Sequence, residues 1–294
     1  MYTENNLVYE DFTKQILISC ADKLIESITI PPTVQKIKQK AFKDCVLLKD
    51  VNFGSGEKLS FELRSFPESS IKSLTLNERI KDFILLNGPA YFRDCINLEN
   101  LKVINIPASY ELFYEDLNPF FLEDKNRNVV YGDSIQAINI EKADYTDYSV
   151  DGIWCCEEND NESFIVFYPP AKKDKVLKIP ENIINGFIEH NPYVEKIIFP
   201  KNYNFHNVFS PVTDCKSLTT IVYEGPLMDF TNFFNIDYFE KCPNFKNIIV
   251  SKKTMISKST LDLIKRYHLN LSYDIINLDD IRSFKELNNL FKER

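Results

Sequence analysis

Two stretches of this chain are near copies of one another, 147 residues apart. Tyr91-Phe92-Arg93-Asp94-Cys95-Ile96-Asn97-Leu98 lines up without a gap on Tyr238-Phe239-Glu240-Lys241-Cys242-Pro243-Asn244-Phe245, and the match runs on to Val103 and Val250. Almost the same offset recurs twice more. Val51-Asn52-Phe53 precedes Ile197-Ile198-Phe199 by 146 residues, and Ile28-Thr29-Ile30-Pro31 precedes Leu177-Lys178-Ile179-Pro180 by 149. A tandem duplication of this kind makes the conspicuous residues structural parts before it makes them chemistry.

A shorter unit lies inside each half, with the frame Cys-x-x-Leu-x-x-Ile-x-Phe and an aromatic or apolar residue three positions before the cysteine. Phe42, Cys45, Leu48, Val51 and Phe53 form one copy, and Phe92, Cys95, Leu98, Leu101 and Val103 a second. Val212, Cys215, Leu218, Ile221 and Tyr223 form a third, and Phe239, Cys242, Phe245, Ile248 and Val250 a fourth. A degenerate copy puts Asn191 in the cysteine position, and another keeps only Ile71, Leu74 and Leu76. Between 54–90 and again over 181–210 the Ala-Phe step is lost.

The alternating pieces start at 28, 51, 74 and 101, then at 177, 197, 221 and 248, a period of 20–27 residues typical of solenoids. A three-residue strand cannot bury its apolar side alone, but stacked parallel copies close a continuous core. In Ile28-x-Ile30 the alternation sends both isoleucines to one sheet face. A small thiol or amide in the tight corner can bond neighbouring backbone, which accounts for Asn191 replacing cysteine. Pro31, Pro180 and Pro200 follow strands directly, where a missing N–H ends the ladder.

The segment Ile28-Thr29-Ile30-Pro31-Pro32-Thr33-Val34-x-x-Ile37-x-x-x-Ala41-Phe42-x-x-Cys45-x-x-Leu48 resembles the BspA-like leucine-rich repeat family, with its Ile-Pro, Ala-Phe and Cys-x-x-Leu steps. The resemblance covers roughly 5–115 and 150–270. It implies an α/β leucine-rich-repeat solenoid of short parallel strands with turns, short helices and a helical C-terminal cap. It also implies a hairpin opening each block, here 7–9 with 16–18 and 153–155 with 164–169. Short cap helices are expected at 106–114 and 259–267, the latter capped by Ser259 or Thr260 with Lys265 and Arg266 toward the negative end of its dipole. The block boundaries read as 1–126, a first repeat block with its hairpin and cap helix; 127–258, a second repeat block; and 259–294, a helical cap. In 279–291 the apolar residues 281, 284, 287, 290 and 291 form a helical stripe. Residues 116–150 do not fit the unit, although 129–131 and 138–140 are candidates for an added strand pair.

Net charge of −8 disfavours nucleic acid or an anionic membrane as partner. No run of 18 apolar residues occurs, and the first residues lack the basic and apolar regions of a secretory leader. The sequence alone therefore points to the cytoplasm, whereas the resemblance points to the cell surface.

Chemistry is sparsely signalled. Cys45, Cys95, Cys215 and Cys242 are ladder positions, and no Cys-x-x-Cys pair offers zinc ligands. Cys155-Cys156 are strand neighbours directed to opposite faces. His190, His206 and His268 belong to no ligand or triad pattern. Glu157 to Glu162 is a solvated hairpin tip, the spacing of Asp144, Asp147 and Asp151 is not that of a calcium loop, and Lys36, Lys38 and Lys40 form an exposed rim. No cofactor, metal or catalytic residue is expected.

The expected function is non-enzymatic protein binding, in adhesion, recognition or scaffolding, since a solenoid offers a long and fairly rigid surface. Outward strand positions should line it: Thr29, Asn52, Thr75, Lys102, Lys178, Val222 and Ile249. Tyr145 and Tyr148 in the irregular segment are candidate anchors. Two alternatives stand beside this reading. One is an enzyme with a site in 116–150, drawing on Asp144, Asp147 and a histidine. The other is a self-assembling structural protein.

Overall fold

The structure is a computed structural model that describes residues 1–87, 89–98, 100–107, 122–123, 129–130, 134–141, 146–159, 162–205, 212–228 and 241–273. Residues 108–114 of the first expected cap helix, Asp144, Tyr145, His206, Phe239 and the stripe at 279–291 lie outside the described residues.

Short parallel strands stack into two five-stranded sheets. In the first, Ala137–Ile140, Val103–Ile106, Ser73–Thr75, Asp50–Asn52 and Ser27–Thr29 lie side by side in that order. The second orders Val176–Lys178, Lys196–Phe199, Thr220–Tyr223, Asn247–Val250 and Asn270–Ser272. Val51 faces Leu74 in a parallel register, and Ile197 faces Ile221. The protein is a leucine-rich-repeat solenoid.

One carbonyl per coil holds the stack together. The Glu26 carbonyl accepts the amides of both Lys49 and Asp50, the Lys49 carbonyl those of Lys72 and Ser73, and the Lys72 carbonyl those of Lys102 and Val103. Lys175, Glu195 and Thr219 do the same in the second sheet. Backbone donors at the head of each strand are thereby satisfied without side chains, so residue identity there can drift.

Inside the sheets, alternation works as the sequence implies. Val51, Leu74, Ile104 and Ile138 point into the first core, and Leu177, Ile197, Ile221 and Ile248 into the second. Each block opens with an antiparallel meander. The first comprises Tyr2–Glu4, Leu7–Tyr9 and Ile16–Cys20; the second comprises Asp147–Val150, Ile153–Asn159 and Glu162–Phe167. The last strand of each meander then pairs in parallel with the next coil.

Four expectations change. First, Leu74 faces Ile104, thirty residues on, so the fourth alternating piece starts at Ile104 and not at 101. Helices Glu78–Asn87 and Pro89–Cys95 replace a short turn and lengthen this coil. The gap-free match of 91–103 to 238–250 is therefore not a structural one beyond the cysteine. Leu101 donates its amide to Leu98 just as Phe245 donates to Cys242, which places Leu98 at the corner. Cys95 instead lies in a column of small residues: the Phe42 amide bonds the Ser65 carbonyl, and the Phe66 amide bonds the Cys95 carbonyl.

Second, the Ala-Phe step survives within 54–90 as Ser65-Phe66, with both residues fully buried. Serine keeps the small volume of alanine and directs its hydroxyl onto the Glu62 carbonyl. Third, 129–131 and 138–140 do not pair with each other. Val129–Val130 pairs with Leu122–Glu123, while Ala137–Ile140 extends the first parallel sheet. Fourth, helix Lys258–Arg266 is capped by Ser257, whose hydroxyl accepts the Thr260 amide. Lys265 and Arg266 occupy its last turn as expected, but the chain then returns to the sheet as Asn270–Ser272, so this helix is not the end of the stack.

The blocks meet at one strand. Ile153 and Cys155 belong to the second core, whereas Trp154 between them belongs to the first, as the two-residue period of a strand demands.

Candidate interaction surface

The outward positions of the first sheet form two rows. Register places Thr29, Asn52, Thr75, Asn105 and Asn139 side by side, with Ser27, Asp50, Ser73, Val103 and Ala137 beside them. At about 4.8 Å between strands, the first row spans about 19 Å. Its side chains are ordered by one another: Asn139 Nδ2 donates to Asn105 Oδ1 at 2.9 Å, and Asn105 Nδ2 to Ser73 Oγ at 3.0 Å. Asn52 Oδ1 accepts the Gly54 amide at 2.8 Å, in a turn where Gly54 takes φ +64° against the Ile30 carbonyl. The row presents amides and hydroxyls on a rigid frame.

Of the sequence-derived residues, Thr29, Asn52 and Thr75 fall together in this row. Lys102 does not. It lies one residue ahead of its strand, half-buried, and Asn105 holds the place assigned to it. Asn105 and Asn139 were legible as the middle residues of Ile104-Asn105-Ile106 and Ile138-Asn139-Ile140, the pattern of Ile28-Thr29-Ile30. Lys178 belongs to the second sheet, exposed at the head of the row Lys178, Ile198, Val222, Ile249 and Ser272. Val222 and Ile249 are buried, so they do not line an open face. Tyr148 is half-buried against the second core and its hydroxyl accepts from Asn182 Nδ2 at 2.9 Å.

The corners carry the remaining conspicuous residues. Asp44, His190 and Asp214 adopt positive φ (+65°, +55° and +51°) immediately before Cys45, Asn191 and Cys215. Asn191 justifies the amide reading: its Nδ2 donates to the carbonyls of Pro169, Pro170 and Lys172, and its Oδ1 accepts the amides of Tyr193 and Val194. Cys215 Sγ donates to the Ile188 carbonyl. His190 Nδ1 lies 2.9 Å from Asp214 Oδ2, linking two successive corners.

Burial raises all seven thiols above their ordinary range: Cys20 to about 11, Cys95 and Cys155 to about 12, and Cys45, Cys156, Cys215 and Cys242 upward as well. At neutral pH they are thiols, which are poor nucleophiles and poor metal ligands. Asp147 receives the Trp154 indole N–H at 2.5 Å, and burial lifts its carboxyl. Among the described residues no cluster of three His, Cys, Asp or Glu could hold a metal ion. An apolar groove of about 410 Å³ runs beside the second meander, lined by Phe164, Val166, Phe187 and Glu189 among others. Among the described residues no helix is long and apolar enough to cross a membrane.

Arg79 escaped the sequence reading altogether. It is buried, and its guanidinium donates to the carbonyls of Glu57, Ile30, Pro31, Phe53 and Val34, tying one coil to the two before it. Lys36 and Lys38, expected on an exposed rim, both pair with Glu62 at 2.9 and 3.2 Å. The Gln39 amide, followed by these lysines, pulls the Glu62 carboxyl down to about 2.

No curated protein matches this chain. Among solved structures it is similar to a leucine rich cell surface protein from Faecalibacterium prausnitzii, at 13% identity and a TM-score of 0.34, covering 92% of this chain and 94% of that one. A leucine-rich repeat protein from Eubacterium ventriosum aligns at 13% identity and a TM-score of 0.36, over 85% of this chain and 66% of that one. The pneumococcal vaccine antigen PcpA aligns at 16% identity and a TM-score of 0.30, over 92% of this chain and 83% of that one. Residues 19–141 match the family model of the BspA type leucine rich repeat region in six copies. Over that region, with its coils stacked in parallel, the chain is similar to the BspA type leucine rich repeat region.

Proposed function

We propose that this protein is a non-enzymatic recognition module that binds a protein partner through the outer face of its first sheet, in adhesion or as a scaffold. The observation that carries this reading is the row Thr29, Asn52, Thr75, Asn105 and Asn139. Coil-to-coil register sets its spacing, and side-chain hydrogen bonds hold the Asn105 and Asn139 amides. A pre-ordered polar face loses little side-chain freedom on binding, which favours affinity. The net charge of −8 favours a protein over a nucleic acid or an anionic membrane.

Two observations weigh against an enzyme built on the irregular segment. Asp147 is engaged by the Trp154 indole, and Ile138 and Asn139 serve as a further coil of the stack. The family resemblance supports placement at a cell surface.

The test is capture from host-surface and matrix protein preparations with the intact chain and with Asn52→Arg/Asn105→Arg. Loss of a captured protein from the variant alone supports this face. An unchanged set of captured proteins excludes it. Light scattering on the intact chain separates recognition from self-assembly, since a monodisperse monomer counts against assembly.

A further inference from the structure

Cys20 and Cys45 are set apart from the other cysteines by their company. Cys20 closes strand Ile16–Cys20, and its amide donates to the Ala41 carbonyl of the next coil at 2.8 Å. Cys45 turns the corner of that coil, its amide on the Phe42 carbonyl and Asp44 before it at φ +65°. The two thiols are buried in the first core, each within hydrogen-bonding reach of the other. Elsewhere the sulfurs meet a different kind of group. Cys95 reaches the Phe61 carbonyl, Cys155 the Ile153 carbonyl and Cys156 the Thr146 hydroxyl. Cys215 and Cys242, though also neighbours, aim their thiols at backbone. Between Cys20 and Cys45, residues 21–44 form the outermost coil of the first sheet. Its strand Ser27–Thr29 is last in the sheet order, with one neighbouring strand among the described residues. Exposed ties hold this coil: Lys23 Nζ on the Lys43 carbonyl at 2.7 Å, and Lys49 on Glu26 at 3.0 Å. Such ties contribute little in water, and a coil with one neighbour frays first.

We propose that Cys20 and Cys45 are a cross-linking site. In an oxidising compartment they join as a disulfide that staples the outermost coil to the meander, and in a reducing one they stay thiols. A disulfide needs Cα atoms within about 7 Å, and adjacent coils about 4.8 Å apart provide that approach. The oxidant is a low-molecular-weight disulfide such as oxidised glutathione. One cysteine thiolate attacks it, forming a mixed disulfide and releasing one glutathione. The second cysteine then displaces the other glutathione and closes the S–S bond. Two electrons pass from the cysteine pair to the glutathione pair, and the two cysteine protons end on the glutathione thiols. Burial decides when this happens. It holds both thiols protonated in the folded chain, so exchange runs while the coil is still open, before Leu17 and Phe42 close the core around the pair. In the closed core no reductant reaches the bond, and it persists. The link removes loop freedom from the unfolded chain and gives the end coil a covalent tie in place of the neighbour it lacks.

The test is refolding of the full-length chain from urea in oxidised and reduced glutathione, followed by alkylation and peptide mapping. A linked Cys20–Cys45 peptide is expected in most chains, with the other five cysteines alkylated. Recovery of Cys20 and Cys45 as alkylated thiols overturns the proposal, and so does a scatter of links over all seven cysteines without preference. Should the chain not refold from urea, the same map is read on chain exported to the bacterial periplasm, with the same outcomes. Hydrogen exchange at the Ile30 amide, which donates to the Asn52 carbonyl at 2.8 Å, reads the staple itself. Exchange there should be about tenfold slower in the oxidised chain than in the reduced one. The Ile179 amide, on the Ile198 carbonyl of the second sheet, should exchange equally in both. Equal rates at Ile30 overturn the stapling. Cys20→Ser and Cys45→Ser should each abolish the linked peptide and the difference at Ile30, and a difference that survives either change overturns the assignment to this pair.

Discussion

Phe42 and Phe66, 24 positions apart in sequence, stack face to face with ring centroids 4.3 Å apart and planes 5° from parallel. The contact is the repeat expressed in side chains, since each ring fills the same place in consecutive coils. Both rings are fully buried, so Phe42→Ala removes a large side chain from a site flanked by its own copy. We expect a loss of about 3–5 kcal/mol in urea unfolding. A loss well under 1 kcal/mol would show that this aromatic column does not join the coils.

Arg79 should be nearly as costly to replace. Arg79→Met keeps much of the stem but removes the guanidinium from five backbone carbonyls in three segments, of which that of Pro31 still accepts the Val34 amide. Each orphaned buried acceptor costs about 1–3 kcal/mol before water enters, so a net loss of roughly 3 kcal/mol is expected. Arg79→Lys should recover only a minor part, because one ammonium cannot reproduce the guanidinium fork. Full recovery by lysine, measured as the unfolding midpoint, would refute the hub role.

Lys196 predicts the opposite sign. Its folded amine titrates near 8 against 10.5 when unfolded. Below pH 8 both states hold the proton, and the folded state bears the full penalty of a buried charge. Between 8 and 10.5 the unfolded chain binds more proton than the folded one, so this group's contribution to stability rises with pH. Lys196→Met should therefore stabilise at pH 7 by roughly 1–3 kcal/mol, and its advantage should shrink from pH 8 to 10.5. A constant difference across that range would refute the assignment.

Glu62 works at the acidic end. Its folded carboxyl lies near 2 against an ordinary 4.5, so its contribution is complete above 4.5 and disappears as pH falls through 2. The group is partly solvated, and Glu62→Gln should cost under about 1 kcal/mol at pH 7. Wild type and variant should become equally stable as pH falls from 4.5 to 2, as read by thermal unfolding at each pH.

Lys102 offers a control for the binding face. Because Asn105 and not Lys102 holds the row position, Lys102→Glu should leave partner affinity within about twofold, while Asn105→Arg should abolish capture. Equal losses would mean that the register-derived face is not the contact.

The solenoid was legible because its grammar is local. Seven of eight strand starts follow from apolar alternation at 20–27 residue intervals, and both meanders follow from paired β-rich runs. The failure at 101 has a physical origin: two helices inserted before Cys95 shifted the strand by three residues while leaving a sequence match that continues past the insertion. Ser65 was missed because volume, not residue name, defines its column. Arg79 was invisible because its partners are backbone carbonyls, which leave no residue signature. The binding face was half legible. Alternation identified which residues point outward, but only coordinates distinguish an open row from a covered one.

Trp154 is the only tryptophan in the chain, and it inserts into one core while its neighbours on either side seal the other. Cutting the gene at the apparent seam of the duplication would strip a bulky indole from the half that needs it. The indole's emission should therefore report on the strand that the two cores share.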